Sequence, residues 1–237
     1  MAYRIRLFPS VRALKAQPMS IVNTREKTIT TKLVYYGPGL GGKTTSLKVV
    51  HSVLDPDQKS KLISLNTDEE RTLFFDFLPI DLGIVGGYKI KIQGFTVPGQ
   101  VKYNLTRKYV LMGADGVVFV ADSQAARLGE NRESMENLKE NLLANGLDPA
   151  TIPLVIQYNK QDLPHLTPTE DLTKHLNTRG VPTYRSSATE GSGVFDAFVD
   201  AASTTIESIV RKYQLPVSNV QDTVRSYLIA LSEGARS

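Results

Sequence analysis

The sequence predicts an α/β protein with a doubly wound, mostly parallel sheet of six strands and one antiparallel edge strand. Three observations carry that prediction. Apolar strand-like runs alternate with helix-period segments along most of the chain. Gly116-Val117-Val118-Phe119-Val120-Ala121-Asp122 is a continuous apolar run, as a central parallel strand covered on both faces requires. Glycine or polar clusters follow four strand ends, at Gly37–Thr44, Thr96–Gln100, Asn159–Asp162 and Ser187–Thr189, where open α/β sheets bind ligands.

The elements follow in order. Residues 1–18 carry Arg4, Arg6, Arg12 and Lys15 and no acid. They are expected to be a disordered basic extension, with a transit peptide or a start codon assigned too early (Met19 being the alternative start) as other readings. Lys32–Tyr36 reads as a buried strand, and Thr45–Val53 as a helix with Leu47, Val50 and Leu54 on one face. Asp55–Arg71 is polar and charged and reads as a long loop. Leu73–Leu78 and Tyr88–Val97 are strands joined through the turn signal Gly86-Gly87. Val101–Met112 and Arg127–Asn145 have helical patterns, the second closed by Asn145-Gly146. Pro153–Tyr158 is another buried strand, Thr169–Leu176 a short helix, Pro182–Arg185 a last strand and Gly193–Tyr213 a long helix. After Pro216, residues Val220, Val224, Tyr227, Leu228 and Leu231 recur at amphipathic-helix spacing. The apolar face of that helix suits either the domain's own surface or a partner. The boundaries expected are an extension over 1–18, one domain over 19–213 and a helical extension over 214–237.

Composition narrows the class. The chain has 237 residues and 41% hydrophobic content, enough for a substantial core. No apolar run approaches the ~20 residues of a membrane span. There is no cysteine, which removes disulfides, thiolate metal sites, cysteine nucleophiles and prenyl anchors. Four of the 28 basic residues lie in the first 18 positions, leaving 24 to balance 24 acids. The net charge of +4 therefore gives no reason to expect nucleic acid as a partner.

Two motifs carry chemistry. Gly37-Pro38-Gly39-Leu40-Gly41-Gly42-Lys43-Thr44 fits G-x-x-x-x-G-K-[ST], lies between a strand and a helix, and so predicts a P-loop NTPase. Its glycines let successive N–H groups converge on phosphate oxygens, and the helix start adds positive potential. Lys43 would reach the outer phosphates and the Thr44 hydroxyl would ligate Mg²⁺. Asn159-Lys160-Gln161-Asp162 fits N-K-x-D at the end of a buried strand. Its Asp carboxylate can accept from N1–H and the 2-amino group of guanine, a donor pair adenine lacks. Asn159 would hold the loop and the Lys160 stem would cover the base.

With both motifs in place the chain resembles a Ras-like small GTPase. More narrowly, Tyr35–Thr45, Asp68-Glu69-Glu70-Arg71-Thr72-Leu73-Phe74-Phe75-Asp76-Phe77 and Thr96-Val97-Pro98-Gly99-Gln100 resemble the bacterial MglA family, over about residues 20–213. That resemblance implies a GTP/GDP switch that hydrolyses GTP with Mg²⁺ and controls cell polarity and gliding or twitching motility. It implies Gln100 as the residue orienting water, Arg71 as an intrinsic arginine finger and Lys43 as the third catalytic group. It implies Thr72 beside Mg²⁺ together with Thr44. The nucleotide contacts expected are Gly37, Gly39, Gly41, Gly42, Lys43, Thr44, Thr45, Thr72, Gly99, Asn159, Lys160, Asp162, Ser187, Ala188 and Thr189. Read from residues alone, Arg71 would instead be a surface partner of Asp68 or Glu70. The resemblance also implies a homodimeric roadblock/LC7-type activating partner of the MglB kind, motility or polarity effectors, and a protein monomeric by itself. It places the protein in the bacterial cytoplasm, clustered at the poles.

One position departs from the general GTPase pattern. D-x-x-G-Q has Thr96 where Asp is expected. That leaves the second carboxylate of the metal site open between Asp76 and Asp122. Two rival functions follow from the sequence: a GTP-binding scaffold that does not hydrolyse, and an ATP-dependent P-loop enzyme, against which Asp162 argues.

Overall fold

The computed structural model describes residues 21–54, 62–65, 75–100 and 103–234. Among the described residues eight strands and six α-helices follow in this order: β1 (Ile21–Asn23), β2 (Thr28–Tyr36), α1 (Lys43–Val53), β3 (Ile63–Leu65), β4 (Phe75–Val85), β5 (Tyr88–Thr96), α2 (Asn104–Leu111), β6 (Gly116–Asp122), α3 (Leu128–Ala144), β7 (Leu154–Asn159), α4 (Thr169–Leu176), β8 (Thr183–Arg185), α5 (Val194–Lys212) and α6 (Val220–Gly234). The sheet order is β3-β4-β5-β2-β6-β7-β8, with β1 paired to β2 off that path. Strands β5, β2, β6, β7 and β8 run parallel. Strand β4 is antiparallel to β5 across the Gly86-Gly87 turn.

The six expected strands are all present, and the sheet has two more. Strand β1 pairs antiparallel with Thr28–Thr30, returning through a turn in which Asn23 Oδ1 accepts from the N–H of Arg25 and Glu26. Strand β3 pairs antiparallel with Phe75–Phe77 and falls inside the stretch read as a loop. Each is three residues long, too short for a period-2 signal. Strand β4 also runs to Val85 rather than stopping at Leu78. Pro79 and Gly83 obscure it in the sequence. Among the described residues β3 pairs with β4 only as far as Phe77, and Pro79 has no partner there on that side, where a missing donor is tolerated.

The core has two halves, one on each face of the sheet, as a doubly wound fold requires. One packs Leu47 and Val50 of α1 with Phe198 and Ile206 of α5 and Val224 and Leu228 of α6. The other packs Val110 and Leu111 of α2 with Leu138 and Leu142 of α3 and Leu172 and Leu176 of α4. Strand β6 is buried throughout. The apolar face of α6 therefore lies on its own domain, against α5 and β4. Arg225 of α6 pairs with the buried Asp200 of α5.

Candidate functional site

The carboxyl ends of β2, β5, β6 and β7 bring the motif loops together. Strand β2 ends at Tyr36, and Gly37 turns the chain at φ 141°, a conformation that favours glycine. A side chain at Gly37 would run into the Val120 carbonyl, and one at Gly42 into the Asn159 amide. The loop is therefore wrapped against β6 and β7. Helix α1 starts at Lys43 and turns its positive end toward the loop. Lys43 is 6% exposed, and its ammonium donates to the carbonyls of Gly37 at 3.0 Å and Pro38 at 2.6 Å. Burial lowers its pKa to about 7, with Arg107 adding to the effect and Asp76 opposing it. Gly42, Lys43, Thr44, Asp76, Thr96 and Gly99 line a cleft of about 380 Å³. Thr45 lines it too and is exposed.

Asp76 stands beside Thr44 in this cleft. Its Oδ2 accepts from the Thr44 hydroxyl at 2.6 Å and from the Thr96 hydroxyl at 2.8 Å. Thr96 Oγ1 in turn accepts from the Asp76 backbone N–H at 2.9 Å. Thr96, where the general pattern has Asp, is thus the group that orients Asp76. Asp122 is elsewhere: it is buried, with Lys160 Nζ at 2.7 Å and Arg127 Nε at 3.7 Å from its Oδ2. Of the two carboxylates left open by the sequence, only Asp76 adjoins Thr44. A hydroxyl and a carboxylate are hard oxygen donors of the kind Mg²⁺ takes alongside phosphate and water oxygens. Among the described residues no cluster of three or more His, Cys, Asp or Glu could form an all-protein cage. The donor set fits a metal held largely by its substrate.

The base-recognition side is organised by Asn159, which is buried at the end of β7. Its amide donates to the Gly41 carbonyl at 2.9 Å, and its Oδ1 accepts from the Ala188 N–H at 2.9 Å and the Ser186 hydroxyl at 3.2 Å. One side chain therefore ties the phosphate loop to the 186–189 loop. Lys160 holds a left-handed φ of 68° and points its ammonium at Asp122. Asp162 is fully exposed, and hydrogen bonding, first from Ser187, holds its carboxyl below the usual range. Thr189 reaches it at 3.3 Å.

The loop after β5 is pressed against the phosphate loop. A side chain at Gly99 would run into the backbone of Gly39. Gln100 follows and is exposed. Arg71 and Thr72, like residues 1–18, lie outside the described residues. Two arginines that sequence reasoning passed over also reach this region. Arg127 donates to the Gly39 carbonyl at 3.0 Å and pairs with Glu130. Arg107 of α2 is 2% exposed and donates through Nε to Pro98 O at 2.8 Å and through Nη2 to Gly99 O. The signal for Arg107 was its position. It shares the buried face of α2 with Val110 and Leu111, three and four residues on, where a charge is out of place.

A P-loop followed by N-K-x-D at the edge of a doubly wound sheet defines a small GTPase. The ADP-ribosylation factor family profile matches residues 21–204, and the chain belongs to that family, whose members hydrolyse GTP. Within it, the chain is 49% identical over 191 residues to the mutual gliding-motility protein MglA of Myxococcus xanthus (strain DK1622), covering 81% of this chain and 98% of that protein. ADP-ribosylation factor-like protein 6 of Caenorhabditis elegans is 31% identical over 156 residues, covering 62% of this chain and 75% of that protein. The Ras-related protein Rab-21 of Geodia cydonium is 26% identical over 194 residues, covering 81% and 78%. Among the described residues, no helix is long and apolar enough to cross a membrane.

Proposed function

We propose that this chain is a GTP/GDP switch that hydrolyses GTP and controls cell polarity or motility by binding partners in one nucleotide state. The observation that most supports it is the Thr44–Asp76–Thr96 triad, set in one cleft with Lys43 and one loop away from Gln100. In the reaction a water oxygen attacks the terminal phosphorus and the bond to the GDP oxygen breaks. Lys43 and the backbone amides of the phosphate loop neutralise phosphate charge. Gln100 orients the water, and Arg71 stabilises the charge that develops on the transferring group. Thr44, Thr72 and Asp76 would hold Mg²⁺, which would supply further positive charge at the phosphate oxygens. Asp162 selects guanine, with Ser187, Ala188 and Thr189 closing the base site.

The 49% identity to a gliding-motility protein supports the polarity and motility role, and with it a homodimeric roadblock/LC7-type activating partner. The same likeness supports a bacterial cytoplasmic protein, monomeric by itself and clustered at the poles. Gln100→Leu should keep GTP affinity within about threefold and lose turnover by at least about 100-fold. Phosphate release at the wild-type rate in that variant, under single-turnover conditions, overturns the role of Gln100. A wild-type protein that releases no phosphate with or without a roadblock partner is the non-hydrolysing scaffold instead.

A further inference from the structure

We infer that Arg107 is a positioning residue for GTP hydrolysis, whose guanidinium holds the Pro98 and Gly99 carbonyls and so sets the loop that carries Gln100. That role rests on the reading of Gln100 given above.

Arg107 is buried to 2% exposure, and among the described residues no carboxylate lies within ion-pair distance of it. A buried charge without a counter-charge is costly, and an apolar side chain of similar size would pack α2 against the sheet more cheaply. What the guanidinium holds instead is loop backbone. Nε donates to Pro98 O at 2.8 Å and Nη2 to Gly99 O. A trans peptide points its C=O and its N–H in opposite directions. Fixing these two carbonyls therefore turns the N–H groups of Gly99 and Gln100 away from the arginine. Neither N–H has an acceptor among the described residues. Both lie beside the phosphate loop, against which Gly99 is pressed.

The guanidinium is anchored from behind. Its Nη1 donates to Asn137 Oδ1 at 2.8 Å, and the Tyr36 ring lies 5.4 Å from its centre. Asn137 Oδ1 also accepts from the Tyr36 hydroxyl at 2.6 Å. Asn141 donates to the Tyr36 hydroxyl at 3.0 Å and to Asn104 Oδ1 at 2.7 Å. Tyr36 immediately precedes Gly37, so the same network joins the phosphate loop, α2 and α3. A planar fork fixed in this way orients two carbonyls at once, which the single ammonium of a lysine cannot do. The charge of Arg107 also reaches Lys43, which places it within electrostatic range of the phosphates.

The test compares Arg107→Met, Arg107→Lys and Asn137→Ala with wild type. Three readouts are taken: affinity for GDP, affinity for a non-hydrolysable GTP analogue, and single-turnover hydrolysis at saturating GTP. Arg107→Met should leave GDP affinity within about threefold, weaken the analogue about tenfold and slow hydrolysis at least about tenfold. Arg107→Lys should recover less than half of each loss on a logarithmic scale, because charge remains and the fork does not. Asn137→Ala should move the same two readouts about threefold. A merely structural role would lower the melting temperature and leave the analogue-to-GDP ratio alone. A ratio and a saturated rate within twofold of wild type in Arg107→Met overturn the inference. If Arg107→Met does not fold, wild-type values in both other variants overturn it. A parallel Gln100→Leu separates the two readings: if that variant hydrolyses normally the role of Gln100 is wrong, while the analogue-to-GDP ratio still judges Arg107.

Discussion

Replacing Asp76 by asparagine tests the proposed metal ligation without disturbing the shape of the cleft. Mg²⁺ sits about 2.1 Å from a ligating oxygen. The Thr44 hydroxyl is 2.6 Å from Asp76 Oδ2. A metal on Thr44 is therefore within about 5 Å of the carboxylate. Two unit charges about 4 Å apart interact by about 4 kcal/mol at the effective dielectric of a protein edge. The divalent charge raises that figure, and desolvation and the substrate's own phosphates reduce it. A net loss of about 3 kcal/mol corresponds to roughly 100-fold weaker Mg²⁺ binding. The amide oxygen of the asparagine would still accept from Thr44 and Thr96, so the fold should hold. The assay is release of fluorescent GDP as free Mg²⁺ is varied. The Mg²⁺ concentration that half-maximally slows release should rise about 100-fold in Asp76→Asn. Thr96→Val keeps the charge but removes the hydroxyl that orients it, and should shift the midpoint about tenfold. A midpoint within threefold of wild type in Asp76→Asn would refute the assignment, and with it the claim that Thr96 acts through Asp76.

Asp162→Ala should lose about 100-fold or more of the preference for GTP over ATP, read by competition binding, because the unpaired guanine donors no longer reward the correct base. Leu228→Ala in α6 empties a fully buried position and should cost about 3 kcal/mol in urea denaturation while leaving GDP affinity within threefold. Lys32 is buried on β2, its ammonium over the Phe95 ring at 4.7 Å and donating to Met112 O at 3.0 Å. Burial pushes its pKa down to about 8 against a normal 10.5, with Asp115 partly opposing. Its folded value lies below its unfolded one, so the unfolded chain binds more protons between those pH values and stability rises with pH there. Wild type should gain about 2 kcal/mol over Lys32→Met between about pH 7.5 and 10 in urea melts. A constant difference would contradict the lowered value.

Much of this was legible because the signals are local. The apolar run of β6 needs no partner to be recognised. Gly37 and Gly42 lie in a contiguous motif whose conformational demand is visible in the residue type. Asn159 and Asp162 share one four-residue motif. What the sequence hid depends on pairing across the fold. Arg107 and Asn137 are 30 residues apart, and their contact exists only because α2 and α3 lie side by side. Strands β1 and β3 are stabilised by neighbours rather than by their own pattern. The amphipathic period of α6 announced an apolar face, but a period cannot say which surface receives it.

The pairing of Asp76 with Thr96 shows how fine such a dependence can be. The Gly86-Gly87 turn starts the hairpin by pairing Val85 with Tyr88, Ile84 with Lys89 and Gly83 with Ile90. Continued without a break, that register would set Phe77 rather than Asp76 opposite Thr96. A bulge intervenes: Asp81, not Leu82, pairs with Lys91, and the shifted register then runs to Phe77 opposite Phe95. The next position brings Asp76 to Thr96. A one-residue slip moves side chains to the opposite face of a strand, so without the bulge the carboxylate would leave the cleft. Local chemistry holds the bulge in place. Gly83 adopts a left-handed φ of 74°, and its N–H donates to Asp81 Oδ1 at 2.9 Å. Lys89 neutralises the same Asp81 at 3.0 Å. The hydroxyl of Tyr227 in α6 lies over Gly83, 2.8 Å from where a side chain would begin. The placement of the Asp76 carboxylate in the cleft is therefore specified by residues at the far end of its own strand. Thr96, where the general pattern has Asp, meets a carboxylate only because that register delivers one from the neighbouring strand.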